Sequence, residues 1–257
     1  MATSPVAVNY WPNDATAKAF WSQHELPPYQ ELLANTADWL DPGPNERWLD
    51  LGCGGGHLTR ALWRRSQGKV AQIIALDCAA KNQRAIDKLN VEINHSSPTP
   101  IRFFHADFSS GLAHWEDNHF DGVVSGLAIQ YAESFSKERG CWTTEAYQHL
   151  LKEVYRVLRP EGRFVFSVNV PEPAWGKVAL RGLPAVLRSR KPVRFIKNAL
   201  RMYRYGFWLS REARQGRFHY LPPAKITEYL QSAGFGAIKH RISYAGQAFI
   251  FRCRKPL

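Results

Sequence analysis

The stretch Trp48–Arg60 reads WLDLGCGGGHLTR. An apolar run of Trp48, Leu49 and Leu51 ends in a glycine cluster. Leu58, Ala61 and Leu62 then fall at helical spacing. The pattern predicts a strand, a tight turn and a helix. Glycine lets the chain turn sharply and lets backbone N–H groups approach a ligand that a Cβ would hold off. The helix start adds unpaired donors for the polar groups of that ligand. A dinucleotide turn of the form G-x-G-x-x-G is excluded, because the third glycine position counted from Gly52 is His57. A phosphate-binding P-loop is excluded too, since no Gly-Lys-Ser/Thr follows.

Working outward, Val70–Leu76 (VAQIIAL) predicts a buried strand ending at Asp77, some 20 residues beyond the glycines. A carboxylate at a strand's C-terminal edge is placed to accept from two vicinal hydroxyls. Ile101–His105 predicts a third strand followed by Asp107 and Phe108, and Phe120–Gly126 a fourth that runs on to Leu127 and Tyr131. A helix over Thr144–Leu158 leads through Arg159-Pro160-Glu161-Gly162 to a fifth strand at Arg163–Val168. The chain ends in a helix at Pro223–Ala233 and two strands, Ile238–Tyr244 and Ala248–Arg252.

The spacing D-x-G-x-G-x-G from Asp50 to Gly56 resembles motif I of the class I S-adenosyl-L-methionine (SAM) methyltransferases. The phrase LKEVYRVLRPEGRFVFSV resembles their methyltransferase-11-like group. The resemblance covers residues 46–170 well and 220–253 moderately. It implies an α/β, Rossmann-like sheet of seven strands, mostly parallel with an antiparallel last strand, and helices on both faces. A helical insertion follows the fifth strand. It also implies SAM as cofactor and S-adenosyl-L-homocysteine as product. No metal is expected, since no acidic cluster with hard-cation ligand spacing appears near the post-strand loops. The implied cofactor residues are Asp50, Gly52, Cys53, Gly54, Gly56, Asp77, Cys78, Asp107, Phe108, Ser125, Gly126 and Leu127. Asp77 would take the ribose hydroxyls, and Asp107 the adenine amino group with Phe108 on the ring. The Asn/Asp-Pro-Pro-aromatic motif of many base-amine methyltransferases is missing after the fourth strand.

Four parts are expected: an N-terminal cover (1–45), the SAM-binding core (46–170), an insertion (171–219) and a closing helix and hairpin (220–257). The cover predicts a helix from Pro28 to about Leu40. Its aromatics Tyr10, Trp11, Phe20 and Trp21 read either as core packing or as a lid over the cofactor. The net charge of +12 is concentrated: Lys177–Arg217 holds twelve Lys/Arg against one acid, Glu212. Read as a helix, Arg190, Arg194, Lys197, Arg201 and Arg204 fall within an arc of about 80°, beside an apolar arc from Val193 to Phe207. This segment reads as a plain pocket cover, as a contact with an anionic membrane surface through 190–208, or as a grip on RNA. Without an RNA-binding module the RNA reading ranks last.

Cys53, Cys78, Cys141 and Cys253 show no ligand spacing, and no run is long and apolar enough to span a bilayer. A cytoplasmic protein with reduced thiols is the expectation, with or without peripheral membrane contact. The expected reaction is O- or C-methylation of a small apolar or amphiphilic acceptor. An RNA methyltransferase and a SAM-binding partner subunit without turnover are the alternatives. Candidate bases are His219, Tyr131 and His24, while His57 reads as a helix cap or a solvent-facing residue.

Overall fold

The computed structural model describes residues 11, 26–93, 100–178, 181 and 192–257, with the side chains of 192–199 and 201–203 outside the description. Helix α1 (Pro27–Ala37) starts on two prolines, which fit a first turn whose N–H groups have no helical partner. The glycine-rich stretch then forms as read. Strand β1 (Arg47–Leu51) ends in the turn, and α2 (His57–Arg65) begins at once after it. β2 (Gln72–Asp77), α3 (Gln83–Glu92), β3 (Ile101–His105) and β4 (Phe120–Gly126) follow.

Two short strands, β5 (Ser134–Ser136) and β6 (Cys141–Thr143), make a separate antiparallel hairpin that the sequence pattern did not announce. Beyond it come α4 (Glu145–Val157), β7 (Leu158–Asn169), α5 (Pro192–Arg214), α6 (Pro223–Ser232), β8 (Gly236–Ser243) and β9 (Ala248–Arg254).

Seven strands form one sheet in the order β3-β2-β1-β4-β7-β9-β8. The first four pairings are parallel, and β9 runs antiparallel to both neighbours. β1 and β2 are buried nearly throughout, as parallel strands covered on both faces must be. One core layer packs Leu150, Leu151 and Val154 of α4 and Ile226 and Leu230 of α6 on one face. The other sets Leu32 of α1, Leu58 and Leu62 of α2 and Ile86 of α3 on the opposite face.

β7 starts earlier than its apolar run. Phe120 pairs with Leu158 and Gly122 with Arg163, so Arg159–Gly162 bulges out between them. The expected turn is present as a bulge inside one strand. The strand order reverses direction beside β1, which puts the C-terminal ends of β1, β2 and β4 around one crevice. Open α/β sheets bind their ligands at such a crevice.

Candidate active site

The glycine turn is stitched to the neighbouring strand. Gly52 N–H and Cys53 N–H both donate to the Leu76 carbonyl, at 2.8 and 3.0 Å. Gly54 N–H donates to Asp77 Oδ2 at 2.9 Å, and Ala79 N–H to Asp77 Oδ1 at 2.8 Å. Asp77 therefore holds the turn in place besides facing the cleft. Burial raises its pKa, and those two amides pull the other way. At Gly52 the backbone sits at φ +71°, and a Cβ there would lie 2.3 Å from the Ala128 Cβ. No other residue fits.

Asp50 is buried at the end of β1. Thr59 Oγ1 donates to its Oδ2 at 2.6 Å, whereas its Oδ1 has no partner among the described residues. Burial pushes the carboxyl up to about 7, against the Thr59 hydrogen bonds. Asp107 caps the turn Phe108–Ser110, its Oδ1 accepting from Ser109 N–H at 2.9 Å.

These groups surround a cleft of about 160 Å³. Of the expected cofactor residues, Asp50, Gly52, Cys53, Gly54, Asp77, Cys78, Asp107, Phe108, Gly126 and Leu127 line it. Ser125 does not: its hydroxyl donates to the Leu51 carbonyl at 2.8 Å and ties β4 to β1. Gly56 does not either; at φ +72° it is the residue before α2. Burial raises the thiol pKa of both Cys53 and Cys78, which keeps them protonated. Among the described residues no group of three or more His, Cys, Asp or Glu is arranged to hold a metal ion.

The rest of the lining is largely aromatic: Trp11, Tyr29, His57, Tyr131, Trp175 and Tyr244, with Asn169 and Leu209. Tyr29 lies close enough to Asp50 to feel its charge, and His57 packs over Gly55 of the glycine turn. Trp11 packs on Tyr131 at an interplanar angle of 38° with centroids 4.4 Å apart, and the Tyr131 hydroxyl lies 3.2 Å from that of Tyr220. Burial pushes Tyr29 and Tyr131 up to about 12, so both phenols stay protonated donors at neutral pH. Asn169, at the C-terminal end of β7, is 2% exposed. Its backbone N–H donates to Gln130 Oε1 at 2.6 Å, and its Oδ1 has no partner among the described residues.

α5 supplies part of this wall. Leu209 is buried against the cleft, and Trp175 Nε1–H donates to Ser210 Oγ at 2.9 Å. A Cβ at Gly206 would come within 2.9 Å of the Trp175 ring, so this mid-helix glycine allows close approach. After the helix, Arg217 donates to Glu133 at 2.9 Å and to Glu212 at 3.3 Å, with its guanidinium 5.0 Å from the Trp142 ring. That buried network fastens the end of α5 to the loop after β4 and to the β5–β6 hairpin.

The expected bases divide. Tyr131 lines the cleft. His219 does not: it is 2% exposed, and its Nε2 lies 2.8 Å from the Ala132 carbonyl. Its ring packs 5.2 Å from Tyr147, and burial lowers its pKa. The reason is backbone pairing. His219 N–H donates to the Gln130 carbonyl at 2.9 Å, which draws the segment under the loop after β4 and away from the cleft. His24 lies outside the described residues. So do Tyr10, Phe20 and Trp21 of the expected lid and the side chains of Arg190, Arg194, Lys197 and Arg201. His57 is not a cap; it opens α2 and lines the cleft 6.3 Å from Tyr29.

Sequence reasoning missed Tyr29, Asn169, Trp175, Leu209 and Tyr244. Asn169 carried a usable signal, as a polar residue closing a parallel strand on the edge where ligands bind. The others come together only through tertiary packing.

The family model described as a methyltransferase domain matches residues 49–166. A demethylmenaquinone methyltransferase from Listeria welshimeri is 25% identical over 220 residues, covering 85% of this chain and 73% of that protein. A trans-aconitate 2-methyltransferase from Mycobacterium tuberculosis is 30% identical over 153 residues, covering 52% of this chain and 56% of that protein. Among solved structures, a chain from the complex between the Haloferax volcanii Trm112 methyltransferase activator and a methyltransferase superposes with a TM-score of 0.62. It is 17% identical and covers 95% of this chain and 96% of that chain.

Proposed function

We propose that this chain, whose residues 49–166 match a methyltransferase-domain family model, is a SAM-dependent methyltransferase that methylates oxygen or carbon of a small amphiphilic acceptor with an aromatic or quinol-like head. The cofactor fits the residues present. Asp50 Oδ1 is a buried acceptor without a partner among the described residues, and the position of a Cβ at Gly54 is open for 4 Å around. Asp50 and the glycine turn would hold the amino-acid end, Asp77 the ribose, and Asp107 with Phe108 the adenine. Bound there, SAM supplies an electrophilic methyl group on a cationic sulfur.

What carries the acceptor reading is the lining of the far end. Trp11, Tyr29, Tyr131, Trp175, Leu209 and Tyr244 offer rings and apolar surface, and Asn169 adds an amide. No Arg or Lys is among the described lining residues. Among the described residues a carboxylate-rich acceptor such as trans-aconitate would meet no counter-charge, at a large desolvation cost. An aromatic head with a hydroxyl or carbonyl would find stacking partners, neutral O–H donors and the free amide oxygen.

The chain's part in the reaction is then orientation. Tyr29 and Tyr131 are held protonated, so they donate hydrogen bonds and do not act as bases at neutral pH. An acceptor acidic enough to lose its own proton to solvent needs only to be placed in line with the methyl group, and placement can supply much of the rate. His57 is the imidazole among the described lining residues, and on this reading it is the base for a less acidic hydroxyl.

The test offers labelled SAM with three acceptors in turn: a phenolic or quinol amphiphile, a tricarboxylate and bulk RNA. Label entering the amphiphile with Michaelis kinetics supports the proposal. Label entering the tricarboxylate or the RNA instead overturns it.

A further inference from the structure

α5 has two working sides. Leu209 faces the cleft, and about 180° away Leu200, Arg204, Phe207, Arg211 and Arg214 share an arc of about 80°. Leu200 is 61% exposed and Phe207 53%, two of the few large apolar residues exposed in the described chain. Arg204, Arg211 and Arg214 are exposed around them. Arg211 reaches Glu212 at 3.3 Å, and Arg214 Nε donates to the Ser210 carbonyl at 3.4 Å, yet both guanidinium groups stay at the surface.

The stripe spans about 21 Å of helix. It is the outer face of a single helix, a line of side chains and not a pocket among the described residues. Its cations alternate with apolar side chains along one line, as in helices that lie at a membrane interface. The surrounding segment Lys177–Arg217 carries twelve Lys/Arg against a single acid, and that acid, Glu212, is buried against Arg217. No helix of the described chain is long and apolar enough to cross a membrane, which leaves surface contact as the mode.

We propose that the outer face of α5 docks on an anionic bilayer surface, with Arg204, Arg211 and Arg214 at the lipid phosphates and Leu200 and Phe207 below them. The same helix walls the aromatic end of the cleft through Leu209. Docking would therefore set the cleft beside the layer from which an amphiphile enters, a consequence that rests on the acceptor reading above. The docking itself does not rest on it.

The test uses the full chain and two vesicle compositions, phosphatidylcholine alone and phosphatidylcholine with phosphatidylglycerol. Binding is read by co-sedimentation at low and high salt, with and without competing single-stranded RNA. Each basic residue near such a surface is worth about fivefold in affinity, so Arg204→Ala, Arg211→Ala and Arg214→Ala together should weaken binding on the order of a hundredfold. Leu200→Ser with Phe207→Ser should also weaken it while leaving it salt-sensitive. Affinity for S-adenosyl-L-homocysteine, unchanged in both variants, confirms that they are folded.

Equal binding to both vesicle types, undiminished binding by the folded arginine variant, or loss of vesicle binding to equimolar RNA would each overturn the proposal. No methyl transfer is measured, so a wrong acceptor assignment cannot mimic any of these outcomes.

Discussion

The two ends of the cleft are built in different ways. The cofactor end is assembled from the ends of adjacent strands. Asp50 is the last residue but one of β1, Asp77 closes β2, Asp107 follows β3 and Gly126 closes β4. Each polar group is within a residue or two of a strand whose register is fixed by its neighbours. The rest of the lining draws on Trp11, Asn169 of β7, Trp175, Leu209 of α5 and Tyr244, which lie up to 233 residues apart in sequence, while Tyr29 of α1 sits near Asp50 between the two. At the first end the backbone dictates the chemistry. At the second, side chains borrowed from added elements do.

Substitutions should separate the two ends. The largest effect is expected from Gly52→Val. Its side chain would meet the Ala128 Cβ, which a Cβ alone already approaches to 2.3 Å, at a backbone angle that β-branched residues avoid. Cofactor binding measured by calorimetry should fall below detection. Asp77→Ala should weaken SAM binding by about 1–3 kcal/mol, through lost ribose contacts and through release of the Gly54 and Ala79 amides. A folded Asp77→Ala protein with unchanged affinity would break the assignment.

At the other end, Asn169→Ala should leave SAM affinity within about twofold and lower acceptor kcat/KM about tenfold, the worth of one buried hydrogen bond. If both parameters fall together, the ends are not separable and the comparison fails.

Asp50 gives the cofactor end a pH signature. Its pKa, raised from 3.8 to about 7, means that the native state holds a proton the unfolded chain has already released. The stabilising contribution is complete below about pH 4 and lost as pH rises through about 7. The cofactor-free protein should therefore lose more stability between pH 5 and 8 than Asp50→Asn does, by on the order of a few kcal/mol. Bound SAM, which brings positive charge to the carboxylate, should reduce that slope. Thermal melts of both proteins with and without SAM read the difference.

The smallest kinetic effect is expected from His219→Gln. It should cost about 1–3 kcal/mol of stability through the bond to the Ala132 carbonyl, without moving the pH–rate profile. A shifted profile would return His219 to the chemistry.

The same contrast explains what could be read from the chain alone. The alternation of Asp50, Gly52, Gly54 and Gly56 and the acid 21 residues beyond Gly56 are local patterns, and the parallel sheet turns local patterns into neighbours. Ser125 lies off the cleft lining because a small polar residue at a strand end can serve a ligand or a neighbouring strand, and here its hydroxyl bonds the Leu51 carbonyl. His219 was misread for a similar reason. Its closeness in sequence to the cleft-forming segment said nothing of the backbone bond to Gln130 that turns it inward. Leu209 and Trp175 had no signature beyond apolarity. Gly206, tolerated in mid-helix, was the one hint that something packs close there.

The central claim is that the crevice between Trp48–Arg60 and Asp77 is a SAM site. Calorimetric titration of the full chain with SAM and with S-adenosyl-L-homocysteine tests it most directly. The account predicts saturable one-to-one binding of both in the micromolar range, absent in Gly52→Val. A wild-type protein that binds neither ligand, or a Gly52→Val protein that binds both as the wild type does, would contradict it.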